Sequence, residues 1–276
     1  MTDLQVKIKS IQYRKKLLRY IKMAKAGHTG GDLSCIDILS VLYNRVLNVS
    51  PQTFDDPGRD RYIQSKGHSV EALYVLLADR GFFPESDLET LCQYGSHYVG
   101  HPTRKVRGVE QNTGALGHGL AFGVGVALAG KIDGAAYRVY TLLGDGELAE
   151  GSNWESMMAA THYQLDNLTA IIDRNTLQIT GHTHEVCGLE PLENKLQAFG
   201  WTVRHVDGHD ITVLRKTLEN VPFEAGKPNA VIARTIKGKG VSFMENDPSW
   251  HHRVPDDKQY EQAQQELDAL LKEITS

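Results

Sequence analysis

Two polar side chains come directly after apolar runs in the C-terminal half of the sequence. Asp145 follows the run 137–143 and Asn175 follows the run 168–172, and each run is typical of a buried strand. The interval between them suits one β-α-β unit, so both side chains are expected at the same edge of a parallel sheet. A carboxylate and an amide oxygen suit Mg²⁺, with Ca²⁺ or Mn²⁺ as substitutes, and leave coordination positions open for phosphate oxygens. The pattern favours a metal site for a phosphate-bearing ligand over two ordinary strand-end turns.

Glycines surround this candidate metal site. Gly144 and Gly146 flank Asp145, and a second glycine-rich run covers residues 113–127. Backbone N–H groups at such glycines can approach phosphate oxygens closely, especially near the N-terminus of a helix. For the second run, close packing of helices across a subunit interface explains the glycines equally well.

Four of the twelve histidines stand in predicted loops, and these are His28, His68, His101 and His251. Their spacing does not match a zinc site, which needs closely paired His or Cys ligands. Imidazoles titrate near neutral pH, so a group of them over a diphosphate ligand predicts proton transfer to hydroxyl and carbonyl groups. A structural hydrogen-bonding role is the alternative for each. We interpret five further histidines as structural or surface residues: His162, His182, His184, His205 and His209.

The apolar periodicity predicts the elements that must position these residues. Helices are expected over 2–26, from a cap at Asp32 or Ser34 to residue 46, and at 69–80, 85–94, 152–164, 192–199 and 211–218. Strands are expected at 61–63, 137–143, 168–172, 201–206 and 230–236. This alternation predicts an α/β fold with a doubly wound, mostly parallel sheet flanked by helices. We predict one domain over 1–276, with a helical N-terminal part over 1–135 and a sheet core over about 136–250.

Composition excludes several classes of protein. The 276 residues are 41% hydrophobic and carry a formal net charge of −4, which argues against disorder and against a nucleic-acid binder. No apolar run is long enough to cross a membrane or to serve as a signal peptide. Three scattered cysteines do not form a disulfide framework. We expect a cytoplasmic protein without nucleic-acid or membrane partners.

Taken together, the motifs resemble transketolase. The GDG…N pair is similar to the thiamine diphosphate motif, and GHTGG, SKGHS, GHP, GALGHG and GDGELAEG occur in family order between about residues 17 and 255. The resemblance implies the thiamine-diphosphate-binding fold, Mg²⁺, and transfer of a two-carbon ketol unit from a ketose phosphate to an aldose phosphate, as in the pentose phosphate pathway. It covers only the diphosphate-binding part of the enzyme. The segments KGKGVSFMEN and WHHR, toward the C-terminus, resemble the last part of the N-terminal subunit of a split, two-chain transketolase.

The resemblance also implies roles for individual residues. The metal ligands would be Asp145, Asn175 and the backbone carbonyl of Leu177. The cofactor would contact His68, Gly114, Ala115, Leu116, Gly144, Asp145, Gly146, Glu150, Asn175 and His251. The catalytic histidines would be His28, His68, His101 and His251. Glu150 and Glu155 match acidic residues that couple two cofactor sites across a dimer interface. The sequence departs from the family at His118, which replaces Gln, at Thr29, which replaces Pro, and at His252, which replaces Gly.

The resemblance implies a partner as well. In this family, a glutamate on the pyrimidine-binding domain triggers formation of the reactive carbanion, and that domain is not in this sequence. We therefore expect no activity from the chain alone, and we expect its partner to be a C-terminal transketolase subunit in an α2β2 heterotetramer. An ordinary, a branched or a sulfonated sugar remains open as substrate. The alternatives are a chain similar to 1-deoxyxylulose-5-phosphate synthase or to the α chain of a 2-oxo acid dehydrogenase, or a non-catalytic cofactor-binding regulatory module.

Overall fold

The structure is a computed structural model that describes residues 1–275. It opens with helix α1 (Asp3–Ala24). Thr2 caps this helix, because its side chain accepts a hydrogen bond from the Gln5 N–H while the Gln5 side chain accepts one from the Thr2 N–H. Lys25 ends the helix in the left-handed conformation, with φ of 53°. The predicted first helix is therefore confirmed.

The other elements follow in alternation, with short single-turn helices in several of the connections. The helices are α2 (Thr29–Val41), α3 (Val70–Asp79), α4 (His118–Ile132), α5 (Gly151–His162), α6 (Thr183–Val186), α7 (Leu192–Ala198), α8 (Ile211–Glu219) and α9 (Asp257–Thr275). The strands are β1 (Arg61–Gln64), β2 (Val139–Gly144), β3 (Leu168–Arg174), β4 (Thr202–Asp207) and β5 (Asn229–Arg234).

All five strands run parallel in one sheet with the order β1-β2-β3-β5-β4. Successive residues of a strand face opposite sides, so Leu142 joins one hydrophobic core with α1, α2, α3, α8 and α9, while Leu143 joins a second core with α4, α5 and α7. The predicted doubly wound parallel sheet is confirmed. The edge strand β1 comes from the N-terminal part of the chain, so the sheet extends beyond the core range of 136–250.

Three local predictions differ from the structure. Helix α2 begins at Thr29, so Asp32 and Ser34 lie inside it and cap nothing at its start. The predicted helix at 85–94 is a short 3-10 segment, Glu85–Thr90. Helices α4, α6 and α9 are missing from the predicted elements, although α4 covers much of the glycine-rich run 113–127 and α9 packs on α1 through Ala263 and Leu267. Among residues 1–275, the helices are all too short or too polar to span a membrane.

Candidate active site

A cavity of about 480 Å³ opens at the carboxyl edge of the sheet. It brings together most of the residues that the sequence singled out: His28, His68, His101, Gly114, Leu116, Gly144, Asp145, Gly146, Asn175, Leu177 and His251. Two predicted cofactor residues lie elsewhere. Ala115 lines a neighbouring groove with His118. Glu150 is exposed, and its side chain lies against Gly117. Glu155 is exposed on α5.

Asp145 and Asn175 stand next to each other because β2 and β3 are neighbours and end at the same level. Both are buried, with exposed fractions of 1% and 5%. Asp145 Oδ2 accepts hydrogen bonds from the Thr176 N–H at 2.6 Å and from Arg174 at 2.9 Å. Asn175 Oδ1 accepts one from the Leu177 N–H at 3.1 Å. Two oxygen-bearing side chains at one edge are the donor set that Mg²⁺ prefers, and a third ligand from the Leu177 backbone is compatible with this position.

Burial changes the pKa of the Asp145 carboxyl group at this edge of the sheet. It raises the pKa of Asp145, and the nearby carboxylate of Asp173 raises it further. A divalent cation between Asp145 and Asn175 would remove this electrostatic cost. Among residues 1–275, no group of three or more His, Cys, Asp or Glu is arranged to hold a metal, so this edge does not carry a zinc-type cluster.

Glu147, which the sequence motifs do not single out, joins the two glycine loops. One of its carboxyl oxygens accepts the Gly117 N–H at 2.9 Å and the Ser65 hydroxyl, and the other accepts the Gly144 N–H at 3.0 Å. The side chain is 2% exposed, and burial raises its pKa. Glu147 therefore holds both loops in position while it stays away from solvent.

A buried ion pair lies beneath the cavity. The Lys66 ammonium donates to the Asp173 carboxylate and to the Gly31 carbonyl at 2.9 Å, and the hydroxyls of Ser34 and Thr235 also donate to Asp173. Burial alone would raise the pKa of Asp173, but Lys66 holds it below its usual value. This network ties α2 to the ends of β1, β3 and β5, and so fixes the edge on which the cavity stands.

Two glycines are needed where the loops meet. A Cβ on Gly67 would lie 2.7 Å from the Gly114 nitrogen, and a Cβ on Gly114 would lie 2.5 Å from the His101 ring. Gly114 also has a φ of 132°, which side-chain-bearing residues rarely adopt. These two glycines therefore allow the loops and the His101 ring to pack closely, and Gly114 also lines the cavity.

The four predicted histidines form one cluster, and His252 joins them. The His28 ring centroid lies 5.4 Å from that of His68, 5.8 Å from that of His101 and 5.5 Å from that of His251. The closest neighbour of His28 is His252, at 4.7 Å. His28 Nδ1 is buried and has no hydrogen-bond partner within residues 1–275.

These imidazoles are neutral at physiological pH. Burial, together with His252 and His101, lowers the pKa of His28 to about 4, and burial with Lys237 lowers the pKa of His251 to about 3. Burial also lowers the pKa of His68 and of His101. Neutral imidazoles can accept a proton from a substrate hydroxyl, and a bound anion would raise their pKa toward the range that general acid–base catalysis needs.

Lys237 is a second residue that the sequence motifs do not reveal. It lines the cavity, is 2% exposed, and contacts the neutral His251 Nδ1 at 2.9 Å rather than a carboxylate. Burial and the charge of Lys66 lower its pKa to about 8. A buried ammonium ion without a carboxylate partner is costly, and an anionic ligand such as a diphosphate would stabilise it. The GKG sequence that follows it gives no sign of burial.

This environment makes Lys237 testable. Lys237→Met keeps an unbranched side chain that is one atom shorter and removes its charge, and we expect the Kd for thiamine diphosphate to rise by about tenfold or more. Isothermal titration calorimetry in Mg²⁺ buffer measures this change. Lys239→Met is the matched control, because Lys239 forms a surface ion pair with Glu245. Equal affinities for the two variants would contradict a role for Lys237 in anion binding.

The histidines interpreted as structural stand outside the cavity. His209 illustrates the role best, since its Nδ1 bonds to Asp37 at 2.9 Å and its Nε2 accepts the Ile236 N–H at 2.9 Å. It thereby joins the end of β5 to α2. His205 forms a hydrogen bond with Glu193, and His162 contacts the Tyr163 ring edge to face. The rings of His182 and His184 lie against each other.

Comparison with known proteins shows to which family this chain belongs. Residues 8–269 match the family described as transketolase, thiamine diphosphate binding domain. The chain belongs to the transketolase family. It is 47% identical over 269 residues to a chain of the apulose-4-phosphate transketolase of Phocaeicola vulgatus that is named as a subunit, and the match covers 98% of this chain and 96% of that one. It is 40% identical over 256 residues to the 6-deoxy-6-sulfo-D-fructose transketolase subunit SqwG of a Clostridium species, covering 92% and 93%.

A solved structure has the same fold. Transketolase from Campylobacter jejuni superposes with a TM-score of 0.89 at 29% identity, covering 97% of this chain but 43% of that one. The transketolase family member described here thus spans nearly the whole of two curated subunits and less than half of this larger transketolase chain. The predicted family resemblance is confirmed, whereas the roles assigned to individual residues stay predictions.

Proposed function

We propose that this chain is the thiamine-diphosphate- and Mg²⁺-binding subunit of a two-chain transketolase, which transfers a two-carbon ketol unit from a ketose phosphate to an aldose phosphate. The observation that carries the proposal is the cavity at the carboxyl edge. It combines Asp145 and Asn175, the buried ammonium of Lys237 and a histidine cluster in one space. We place the protein in the cytoplasm on the sequence argument given above.

The residues present fit both groups. Asp145, Asn175 and the Leu177 carbonyl would hold Mg²⁺, and Lys237 with the glycine backbone around Gly146 would hold the diphosphate. When bound, the cofactor supplies a carbon nucleophile for ketol transfer. The Leu177–His182 bridge places Ile179, which is 70% exposed, along the cavity wall, where it would cover an apolar part of the ligand.

The histidines would then act on the sugars. His28, in the middle of the histidine cluster, and His101, on the more exposed side of it, would exchange protons with substrate hydroxyl and carbonyl oxygens. His68 and His251 are less exposed than His101 and lie 5.2 Å apart, with Lys237 against His251. They would orient the ligand and polarise it. The negative charge of the cofactor would bring their pKa values back toward neutrality.

An exposed apolar face supports assembly into a larger complex. Ala121, Gly125, Ala129 and Ile132 recur along one side of α4, and Met158 is exposed on the adjoining α5. A Cβ on Gly125 would meet nothing within 4 Å, so this side is open to a neighbouring helix. We propose that a second copy of the chain packs here, because small residues allow close approach and the face continues to Glu150 and Glu155, which match dimer-interface residues of the family.

The comparison with known proteins supports a further partner, which is a chain of different sequence. The curated relatives that match over nearly their whole length are named as subunits, whereas the Campylobacter transketolase chain is more than twice as long as the matched region. We propose that a C-terminal subunit supplies the pyrimidine-binding and C-terminal domains, which gives an α2β2 heterotetramer. Because the chain is similar in sequence to a subunit of an apulose-4-phosphate transketolase, the branched ketose phosphate apulose 4-phosphate is the first donor to test, ahead of a sulfonated sugar.

Reconstitution tests the proposal. We expect no ketol transfer by the chain alone with thiamine diphosphate and Mg²⁺, and transfer after addition of a chain that carries the pyrimidine-binding half. The donors to compare are apulose 4-phosphate, xylulose 5-phosphate and 6-deoxy-6-sulfofructose, with ribose 5-phosphate as acceptor. Full activity of the chain alone would contradict the need for a partner. Cofactor binding without transfer from any donor in the mixture would favour the regulatory alternative.

A further inference from the structure

Outside the cavity, two carboxyl groups are buried against each other between α2 and α3. Asp32 has no exposed surface and Glu71 is 1% exposed. Asp32 Oδ1 accepts the Ala72 N–H at 2.8 Å, whereas Asp32 Oδ2 and both Glu71 oxygens have no donor in the part of the chain that the structure describes. Two ionised carboxylates are not stable in so dry a space, so a proton has to lie between them.

The hydrogen bond to Ala72 indicates which group carries that proton. Ala72 is in the first turn of α3, and Ser69 at the N-cap of α3 makes no side-chain capping bond. Asp32 therefore caps α3 from the neighbouring helix, and the positive end of the helix dipole stabilises its negative charge. This assigns the carboxylate to Asp32 and the carboxylic acid to Glu71, whose hydroxyl can donate to Asp32 Oδ2.

The electrostatic surroundings agree with a neutral Glu71. Burial raises the pKa of Asp32 and of Glu71, and the charge of Asp32 raises the pKa of Glu71 further, whereas the hydrogen bond with Glu71 lowers the pKa of Asp32. The titratable groups that act on the pair are the Lys66 ammonium, which attracts Asp32, and Cys35, Tyr74 and Cys92, which are neutral thiols and a phenol at pH 7 because burial raises the pKa of each. Lys66 therefore favours the carboxylate on Asp32.

Asp32 also connects two histidines of the cavity. Its backbone N–H donates to the His28 carbonyl at 3.1 Å, while its side chain holds α3, which follows the turn that carries His68. The preceding residue, Gly31, lies directly against His68, because a Cβ there would come within 3.3 Å of the His68 ring. A shift of α3 relative to α2 would therefore change the distance of 5.4 Å between the His28 and His68 rings.

We propose that Asp32 and Glu71 form a proton-sharing pair that sets the spacing of His28 and His68. Glu71 provides the proton and Asp32 accepts it while capping α3. Neither side chain belongs to the cavity wall as described above, so both are positioning residues. The spacing role rests on the proposed function, whereas the shared proton can be tested without any activity.

Infrared difference spectroscopy tests the shared proton. At pH 7, the wild-type spectrum minus that of Glu71→Gln is expected to contain the C=O band of a protonated carboxylic acid. Glu71→Gln should fold normally, because its amide N–H can donate to Asp32 in place of the hydroxyl. Glu89→Gln is the matched control, because Glu89 is exposed beside Arg19 and should lose only a carboxylate band. A Glu71→Gln difference spectrum with a carboxylate band alone would overturn the pair.

Kinetics of the reconstituted enzyme test the positioning role. Glu71→Leu and Asp32→Ala remove the shared hydrogen bond, and we expect each to lower kcat by about tenfold or more while the Kd for thiamine diphosphate stays unchanged. Glu71→Gln and Asp32→Asn restore a donor and an acceptor, so both should keep wild-type kcat. Wild-type kcat in Glu71→Leu would overturn the positioning role. Absence of activity in the wild-type mixture would refute the proposed function and the positioning role together, but the infrared result would still decide the shared proton.

Discussion

Asp145→Ala is expected to abolish Mg²⁺-dependent binding of thiamine diphosphate, with a loss of affinity on the order of 100-fold or more. Asp145 is the charged member of the proposed metal site, and loss of residues that merely support metal ligands already costs about 10–100-fold in typical sites. The Asn175 amide and a backbone carbonyl alone would leave the metal with neutral protein ligands only. Calorimetric titration of the cofactor with and without Mg²⁺ measures the effect.

Measuring the free energy of unfolding of Asp145 variants distinguishes a loss of cofactor binding from a loss of folding. Because burial raises the pKa of Asp145 in the folded chain, its charged form reduces stability as the pH rises above the pKa of the unfolded chain. Asp145→Asn keeps an oxygen acceptor for the Thr176 N–H and removes the charge, so it should not lower the free energy of unfolding at pH 7. Asp268→Ala is the control, since Asp268 forms a surface ion pair with Lys15. Unchanged cofactor affinity in Asp145→Ala would refute the metal assignment.

The residues that the sequence correctly placed next to each other are those whose neighbours are determined by local patterns. Asp145 and Asn175 follow long apolar strands, and parallel strands that are adjacent in a β-α-β unit bring their carboxyl ends together. The loop histidines could be grouped by the composition of their loops, but no local pattern gives their arrangement, because His28 and His251 lie far apart in sequence. Their ring distance of 5.5 Å depends on the whole chain between them.

The errors have physical causes that a single sequence does not contain. Gly30 and Gly31 suggest a break before α2, yet they lie inside the helix. A Cβ on Gly30 would lie 2.9 Å from the Trp250 carbonyl oxygen, so this glycine serves close packing rather than helix termination. Lys237 is missed for a similar reason, since a lysine beside glycines normally indicates an exposed loop. By contrast, α9 has a clear apolar periodicity, with Ala263 and Leu267 buried four residues apart, and could have been predicted.

The second large effect is expected at His101. His101→Ala in the reconstituted enzyme should lower kcat by about 100-fold, because a positioned general acid or base typically contributes about 10²–10⁴-fold. The affinity for thiamine diphosphate should be nearly unchanged, since the proposed diphosphate contacts are Lys237, the metal ligands and the glycine backbone. Steady-state kinetics with the active donor, together with calorimetry of the cofactor, measure the two quantities separately.

A smaller effect would assign His101 a different role. The His101 ring packs on Gly114, so His101→Ala also leaves a space beside a cofactor loop. His101→Gln fills that space and lacks an imidazole, and it should therefore have the same low kcat as His101→Ala if the ring transfers a proton. His162→Ala, on α5 and outside the cavity, should retain the wild-type rate. Recovery of activity in His101→Gln, or a loss below tenfold in His101→Ala, would mean that the ring supports the Gly114 loop. Proton transfer would then fall to His28, whose ring lies beside those of His68, His101 and His251.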